Sequence, residues 1–423
     1  MPAPSDSSII RRDPYAALRY SDFRLLLIGR FIASFGGEML SFAIAWDLWL
    51  RTRSAWALGL VGLVQIVPVL ALSLPAGLVA DRYNRRRIVL IAHLATGLCS
   101  LGLALLSYTR GALPLIYLCL FGIGVARAFN DPASSALIPE TVPANLFSSA
   151  ATWNSSTWQT ASILGPTAAG LIVWLLDNVT IIYALDVVGA ALFIACLSLI
   201  KGKPLPLAPK AATFMSLLES LREGLRFMRD TKIVLGAITL DMFAVLFGGA
   251  VALLPIYATD ILKVGAQGMG IMRAAPSIGA LLAAFLIAHL PPMKNAGRTL
   301  FIAVAGFGLC TIVFGLSTWF PLSVLMLALL GGLDNISVVI RGTLLLTHTP
   351  NEMRGRTSAV NSVFIGVSNE LGYFESGFAA ALLGPVIAVV GGGAITILVV
   401  LAMTKVFPQL QEMKTLDEPE SAR

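Results

Sequence analysis

Several ionisable side chains of this sequence stand inside long apolar stretches, where a charge is costly unless it has a partner or a ligand. Glu38 is the acid of the run FGGEMLSF and follows two glycines, which permit close packing of helices. A carboxylate or guanidinium in such a place can hold a proton or bind a charged group of a ligand. The residues of this kind are Glu38, Arg127, Asp241, Asp334, Arg341 and Glu370.

The spacing of these residues leaves two interpretations open. Arg127 and Asp131 are four positions apart, as in an ion pair on a helix, so Arg127 either binds an anionic ligand or only neutralises Asp131. Asp334 and Arg341 are seven apart and share a helical face, so they form either a ligand site or a structural ion pair. Glu38 is either a proton or ligand carboxylate or a hydrogen-bonded packing residue.

The elements that must position these side chains are membrane-spanning helices. The chain has 423 residues, of which 57% are hydrophobic and 13% charged, whereas soluble globular proteins carry about 25% charged residues. Runs of about twenty apolar residues are long enough for a helix to cross a hydrocarbon core of about 30 Å. The sequence therefore predicts an all-α polytopic membrane protein with twelve transmembrane helices. The segments are 23–50, 56–80, 88–109, 112–136, 145–176, 179–200, 233–262, 266–290, 298–318, 320–346, 352–383 and 385–407.

A polar interruption at 201–232 divides these segments six and six. It begins as a Pro- and Lys-containing linker and continues as a stretch whose apolar residues recur at helical spacing from Phe214 to Met228. We expect that stretch to lie on the membrane surface as a helix. The predicted organisation is an N-terminal tail (1–22), a six-helix bundle (23–200), the linker (201–232), a second six-helix bundle (233–407) and a C-terminal tail (408–423).

The two halves resemble each other, which indicates two pseudo-symmetric bundles. Residues 135–155 align without gaps on 342–362, so that Pro143 falls on Pro350 and Asn154 on Asn361. Internal repeats of this kind are typical of transporters, in which the substrate site lies between the halves near the membrane midplane.

Lysine and arginine are concentrated in alternate loops. Most of the 30 Lys and Arg residues fall in the two tails, the central linker and the loops at 81–87, 291–298 and 349–356. By the positive-inside rule, both termini are cytoplasmic. The same distribution excludes a nucleic-acid-binding face despite the net charge of +7, because the positive charge does not collect on one surface.

The sequence offers no pattern for catalysis. No phosphate-binding loop, metal-ligand cluster or Ser-His-Asp group stands outside the apolar segments, so we predict no enzyme activity, cofactor or metal. The four cysteines lie within apolar segments and are interpreted as small buried residues. With no ATP-hydrolysing domain in this sequence, an ion gradient or the substrate's own gradient must drive any transport.

The loop GLVADRYNRRRIVLI, between the second and third segments, resembles the signature loop of the major facilitator superfamily, G-x-x-x-D-R-x-G-R-R/K. The matching residues are Gly77, Asp81, Arg82, Arg85 and Arg86. Asn84 replaces the glycine of the pattern, and Asn tolerates a left-handed turn better than most residues. In the second half, Pro292 stands where the first has Asp81.

The resemblance implies a latch between the two halves on the cytoplasmic side. In the family pattern, Asp81 faces the start of span eleven, here 349–352, which we interpret as a capping box with proline at the first helical position. A carboxylate there is stabilised by up to about 2 kcal/mol. An arginine of the loop, Arg85, pairs with Asp131 in this pattern. The hypothesis is that Gly77, Asp81, Arg82, Arg85 and Asp131 stabilise the outward-open state. The alternative is that the loop only orients span two.

Further stretches, among them ALRYSDFRLLLIGRFIASFG and REGLRFMRDTKIVLGAI, resemble the enterobactin-exporter-like branch of the superfamily. Gly165, Pro166 and Gly170 are similar to the Gly-Pro motif that its antiporters carry in span five, although Ala169 replaces a glycine. The resemblance implies a monomer in a bacterial inner membrane that exports a siderophore, drug or amphipathic metabolite by proton antiport. A lipid or lysophospholipid facilitator and a non-transporting sensor with the same fold are the alternatives.

Overall fold

The first bundle consists of six long helices. The computed structural model describes residues 15–201, 214–291 and 295–413, so residues 1–14 and 414–423 of the predicted tails, 202–213 of the linker, and Pro292 lie outside the described residues. The helices are α1 (Ser21–Thr52), α2 (Ala55–Arg82), α3 (Arg85–Tyr108), α4 (Leu113–Ser135), α5 (Phe147–Leu176) and α6 (Thr180–Leu199). Short 3₁₀ helices lie at Ala16–Arg19, Ile138–Glu140 and Ala144–Leu146.

The second bundle follows an amphipathic helix, α7 (Phe214–Asp230), at the position predicted for the linker helix. Its helices are α8 (Lys232–Phe247), α9 (Leu254–Ile256), α10 (Gly265–His289), α11 (Ala296–Leu316), α12 (Phe320–His348), α13 (Arg354–Leu383), α14 (Pro385–Val406) and α15 (Pro408–Gln411). No strand is present in the described part of the chain.

Eleven helical segments of the described chain are long and apolar enough to cross a membrane, judged by length and composition. The prediction of an all-α polytopic membrane protein is therefore confirmed. The predicted span missing from these eleven is α13, along which Arg354, Arg356, Glu370 and Glu375 are distributed. Its 30 residues extend about 45 Å, and it packs against α2, α8 and α14.

The two bundles contact each other mainly at one end of the molecule. We call the end that carries α7 and the α2–α3 turn the linker side, and the opposite end the far side. One apolar core in the far half joins both bundles, for example Phe42 and Trp46 of α1 with Tyr257 and Phe314. In the linker half, each core cluster of the described residues belongs to one bundle, with α7 joining the second. The bundles thus share an apolar core on the far side, whereas towards the linker side no core cluster of the described residues joins them.

The seventh span is not a continuous α-helix. After α8, the chain passes through a 3₁₀ turn at Ala250–Leu253 and α9 into a π-helical turn at Tyr257–Ile261. The Leu262 amide donates to the Tyr257 carbonyl at 2.8 Å, which closes this wider turn. Single π turns redirect side chains and occur frequently at functional sites. Here the turn carries Thr259 and Asp260, which contact the far-side end of α1.

Two helix starts differ from the prediction. Asn84 is extended, with φ −60°, and caps α3 because its side-chain oxygen accepts from the backbone N–H groups of Arg86 and Arg87. The predicted capping box at 349–352 is wrong, since α13 begins at Arg354, after a turn closed on the Pro350 carbonyl. Thr349 has the extended backbone of an N-cap residue, but its buried hydroxyl makes no hydrogen bond to the described residues and therefore caps no helix.

Candidate functional site

A cavity of about 520 Å³ lies between the two bundles and is closed on the far side by their shared core. Every helix of the first bundle lines it, together with α10 and α13 of the second. Its volume is that of a site for one small molecule. The ionisable side chains that line it are Glu38, His93, Arg127, Asp186, Arg273, Glu370 and Tyr373.

An ion pair connects the two bundles across this cavity. Nη1 of Arg127 on α4 lies 3.0 Å from Oε1 of Glu370 on α13. The Arg127 side chain is 50% exposed and that of Glu370 13%, so the guanidinium faces the cavity while the carboxylate lies against protein. Nε of Arg127 is also 3.8 Å from Oδ2 of Asp131. Arg127 therefore has the predicted neighbour, Asp131, and a closer one in the other bundle.

Glu38 and Arg273 carry opposite charges in the same cavity but do not pair with each other. Nη2 of Arg273, on α10, donates to the Ser41 hydroxyl of α1 at 2.5 Å, a second polar contact between the bundles. Glu38, one turn before Ser41, accepts a long hydrogen bond of 3.5 Å from Ser162. Within the described residues Glu38 has no ion-pair partner, so its carboxylate is available to a proton or a ligand.

Asp241 and Arg341 form the most buried ion pair of the described chain. Nη1 of Arg341 on α12 lies 2.5 Å from Oδ2 of Asp241 on α8, inside the second bundle and away from the cavity. Asp334 lines a small internal pocket together with Asp241 but makes no ion pair. In the structure, the ion-pair partner of Arg341 is therefore Asp241 and not Asp334. Residues seven positions apart on one helix share a face, but the neighbouring α8 places the Asp241 carboxylate closer to Arg341.

The signature loop is found at the linker side with a different pairing from the one predicted. Nη1 of Arg85 lies 3.2 Å from Oε1 of Glu140, in the 3₁₀ helix after α4, and not near Asp131. Asp131 lies about one helical turn before the end of α4 and pairs with Arg127 instead. Asp81 is half-buried and makes no hydrogen bond or ion pair with the described residues. Gly77 and Arg82 lie on the last two turns of α2.

The Gly-Pro motif of α5 lies where helices approach closely. Gly165 faces α1, where a Cβ would lie 2.6 Å from the Cβ of Glu38. Gly170 faces Gly270 of α10, with a Cβ 3.0 Å from its Cα, so this glycine pair sets the spacing of the two bundles. Pro166 presents its carbonyl to the same Gly270. The motif therefore positions Glu38 and the α5–α10 interface.

Two cavity residues, Asp186 and Arg273, were not singled out as candidate sites by the sequence analysis. Both are charges inside apolar segments, the same signal that identified Glu38. Asp186, on α6, accepts a hydrogen bond of 2.6 Å from the Ser100 hydroxyl of α3. No group of three or more metal-ligating side chains occurs in the described ranges.

Comparison with known protein families agrees with this architecture. The profile of the major facilitator family described as transmembrane secretion effector matches residues 12–423. The chain belongs to this family. It is thus a multi-span membrane protein and a transporter of the major facilitator type, as the signature loop predicted. Its family and relatives indicate a transporter and not an enzyme.

Curated relatives and solved structures match nearly the whole chain. The enterobactin exporters EntS of Escherichia coli O1:K1 and of Shigella boydii serotype 18 are each 25% identical over 393 residues, covering 93% of both chains. The peptide transporter PepTSo superposes with a TM-score of 0.75 at 13% identity, over 93% of this chain and 99% of its own. A bacterial homologue of Spinster, in an inward-facing and unoccupied conformation, has a TM-score of 0.72 at 13% identity and covers 92% of this chain and 98% of its own.

Proposed function

We propose that the protein exports a small molecule by alternating access, driven by proton antiport. The observation that carries the proposal is the cavity between the bundles, which is closed on the far side. Both bundles line it with charged side chains, among them the Arg127–Glu370 ion pair and Glu38, which is unpaired within the described residues. A siderophore, a drug or an amphipathic metabolite fits its mixed lining, and the related enterobactin exporters favour a substrate of the siderophore class.

The orientation proposed for the protein places the linker side in the cytoplasm of a bacterial cell and the bundles in the inner membrane. The charge of the linker-side loops supports this, because lysine and arginine are retained on the cytoplasmic side. In the conformation described here, the cavity is then shut towards the periplasm and the bundles are separate towards the cytoplasm.

Glu38 is the proposed site of exchange between proton and substrate. Its carboxylate faces the cavity and has only the weak hydrogen bond from Ser162 within the described residues. A cationic group of the substrate and a proton would compete for it, and such competition is what antiport requires. Glu370 would behave differently. An anionic substrate that binds Arg127 would remove the ion-pair partner of Glu370, and Glu370 would then take up a proton together with the substrate. Competition at Glu38 therefore favours export against proton entry.

A comparison of secreted metabolites tests the proposal. A deletion strain and strains carrying wild type, Glu38→Gln or Glu375→Gln are compared by untargeted analysis of the medium and by drug susceptibility, with and without a protonophore. Glu375 is the matched control, since it is an acid of α13 that does not line the cavity. We expect at least one compound whose export needs the wild-type protein and the proton gradient, is at least ten-fold lower with Glu38→Gln and is unchanged with Glu375→Gln.

Two other results would contradict the proposal and identify an alternative. Export of a lipid or lysophospholipid that the protonophore leaves unchanged would identify a facilitator. An unaltered secreted metabolite profile and drug susceptibility in the deletion strain would indicate a sensor that does not transport.

A further inference from the structure

Asp186 differs from the other fully buried acids of the described chain in having no cation beside it. Three acids are buried in this sense, Asp47, Asp186 and Asp241, with 7%, 6% and 5% of their surface exposed. Asp47 lies 2.8 Å from Arg51 and Asp241 lies 2.5 Å from Arg341. Asp186 has only the neutral hydroxyl of Ser100, at 2.6 Å from its Oδ2.

The surroundings of Asp186 are built to hold its carboxyl group. Gly36 of α1 faces its Oδ1, and a Cβ on that glycine would lie 2.7 Å from this oxygen. Any larger residue at position 36 would displace the carboxyl group. The first of the two glycines before Glu38, Gly36, therefore has a specific use, since it accommodates Asp186.

The charged groups on the helices packed against α6 are engaged elsewhere. On α1, Arg30 bonds to Asn154 and Ser134, Glu38 accepts from Ser162, and Asp47 pairs with Arg51. On α3, His93 packs against the Phe193 ring at 4.1 Å between centroids. On α6 itself, the Tyr183 hydroxyl faces Asp47 at 3.4 Å. None of them supplies a positive charge to Asp186.

An ionised carboxylate in this place would be buried, with 6% of the residue exposed, and would have no counter-ion beside it in the described chain, which is the costly case for a buried charge. A neutral carboxylic acid needs only hydrogen-bond partners, and Ser100 supplies one. Asp186 also lines the cavity, so a proton has a route between this carboxyl group and cavity water.

We propose that Asp186 is a proton-binding site of the transport cycle, and that it carries its proton while the empty cavity is open to the linker side. The inference deepens the proposed proton antiport and rests on it. It adds a second proton-binding carboxyl group in the first bundle, on the opposite flank of α1 from Ser162, the partner of Glu38. The proton leaves Asp186 when the cavity takes up its substrate.

Infrared difference spectroscopy of the lipid-reconstituted protein between neutral and alkaline pH tests the site without a substrate. Wild type is expected to show, at neutral pH, the C=O stretch of a protonated carboxylic acid, and Asp186→Asn to lose that component. Asp47→Asn is the matched control and should retain it, because Asp47 has Arg51 as its ion-pair partner. In that control Arg51 keeps the Leu106 and Gly111 carbonyls as acceptors.

A second measurement follows the opening of the linker side with pH. Spin labels at Asn145 and His289, exposed positions near the linker-side ends of different bundles, report the distance between them. Raising the pH should depopulate the linker-open form in wild type and in Asp47→Asn, and at least two-fold less in Asp186→Asn.

Two results would overturn the proton-binding site. One is a carboxylic-acid band that is as intense in Asp186→Asn as in wild type, and the other is a pH response of the distance that is the same in that variant as in wild type. Both measurements can verify the proton-binding site even where the protonophore leaves export unchanged. That combination would contradict proton antiport, and Asp186 would remain a proton-binding site.

Discussion

At the scale of single residues, each interior carboxylate has a different neighbour, and the neighbour determines its behaviour. Asp241 is neutralised within its own bundle by Arg341. Glu370 is neutralised across the cavity by Arg127, so its partner is lost when the bundles separate at that level. Glu38 has only a weak hydroxyl donor in the described chain. A fixed pair stabilises one bundle, a pair across the cavity responds to conformation, and an unpaired acid responds to protons.

The Asp241–Arg341 pair gives a stability prediction. Asp241→Ala should lower the free energy of unfolding by about 3–5 kcal/mol, because it leaves the Arg341 charge buried and uncompensated. Thermal unfolding of the purified protein in detergent measures the loss. Asp241→Leu combined with Arg341→Met should be markedly more stable than Asp241→Ala, since neither charge of the pair then remains. Equal destabilisation by both variants would show that shape and not charge governs this site.

At the scale of secondary-structure elements, the far side is held shut by the end of α1 and the π-helical turn of the seventh span. The Trp49 indole donates to the Thr259 hydroxyl at 2.8 Å, and Nη1 of Arg53 lies 3.2 Å from Oδ1 of Asp260. The Arg53 guanidinium also stacks over the Trp49 ring at 5.5 Å. The Trp49–Thr259 contact is largely buried, whereas the Arg53–Asp260 pair is half-exposed, so only a small energy separates the two charges of that pair.

Reversing one charge of this closure should open the far side. Arg53→Glu places like charges together, and we expect a two- to five-fold rise in the far-side-open population, as an exposed pair contributes up to about 1 kcal/mol. Spin labels at Asn178 and Thr318, exposed far-side positions in different bundles, measure the distance distribution.

Arg53→Glu combined with Asp260→Arg restores opposite charges and should return the distribution to that of wild type. A distribution unchanged by the single reversal would show that the apolar core alone closes the far side.

At the scale of the whole molecule, the acid of the signature loop is unpaired in the conformation whose linker half has no core cluster of described residues shared by the bundles. Asp81 has no partner among the described residues, whereas Arg85 and Asn84 are engaged within the first bundle. A latch that stabilises the opposite, outward-open state would be disengaged here. The loop thus has a permanent part, which fixes α3 and the end of α4, and a part that would engage only when the linker side closes.

Variants of Asp81 test the part of the loop that would engage only when the linker side closes. Asp81→Asn and Asp81→Glu should both lower export at least five-fold, because Asn removes the carboxylate from the start of α13 in the outward-open state and Glu moves it by one methylene group. The metabolite export assay measures this. Arg87→Gln is the control, since Arg87 is exposed and its side chain makes no hydrogen bond or ion pair in the described chain. Full export by both Asp81 variants would show that the loop only orients span two.

The sequence predicted the helices well because hydrophobic runs determine where a chain crosses a membrane. It also identified Glu38, Arg127 and Glu370, all of which line the cavity, as charges in apolar segments. It did not predict which partner each charge takes. The Arg127–Glu370 contact joins residues on α4 and α13, and Glu140 lies on a short 3₁₀ turn, so these contacts depend on how helices rotate and pack against one another. No spacing along one helix encodes that rotation.

The polar character of α13 has a consequence for how the protein is made. A helix carrying four charges along its length partitions poorly into lipid by itself, and α13 lies against α2 and receives Arg127 from α4. Those partners are synthesised first. The first bundle would then act as a template that admits α13 into the bilayer, so biogenesis and transport would depend on the same contact between Arg127 and Glu370.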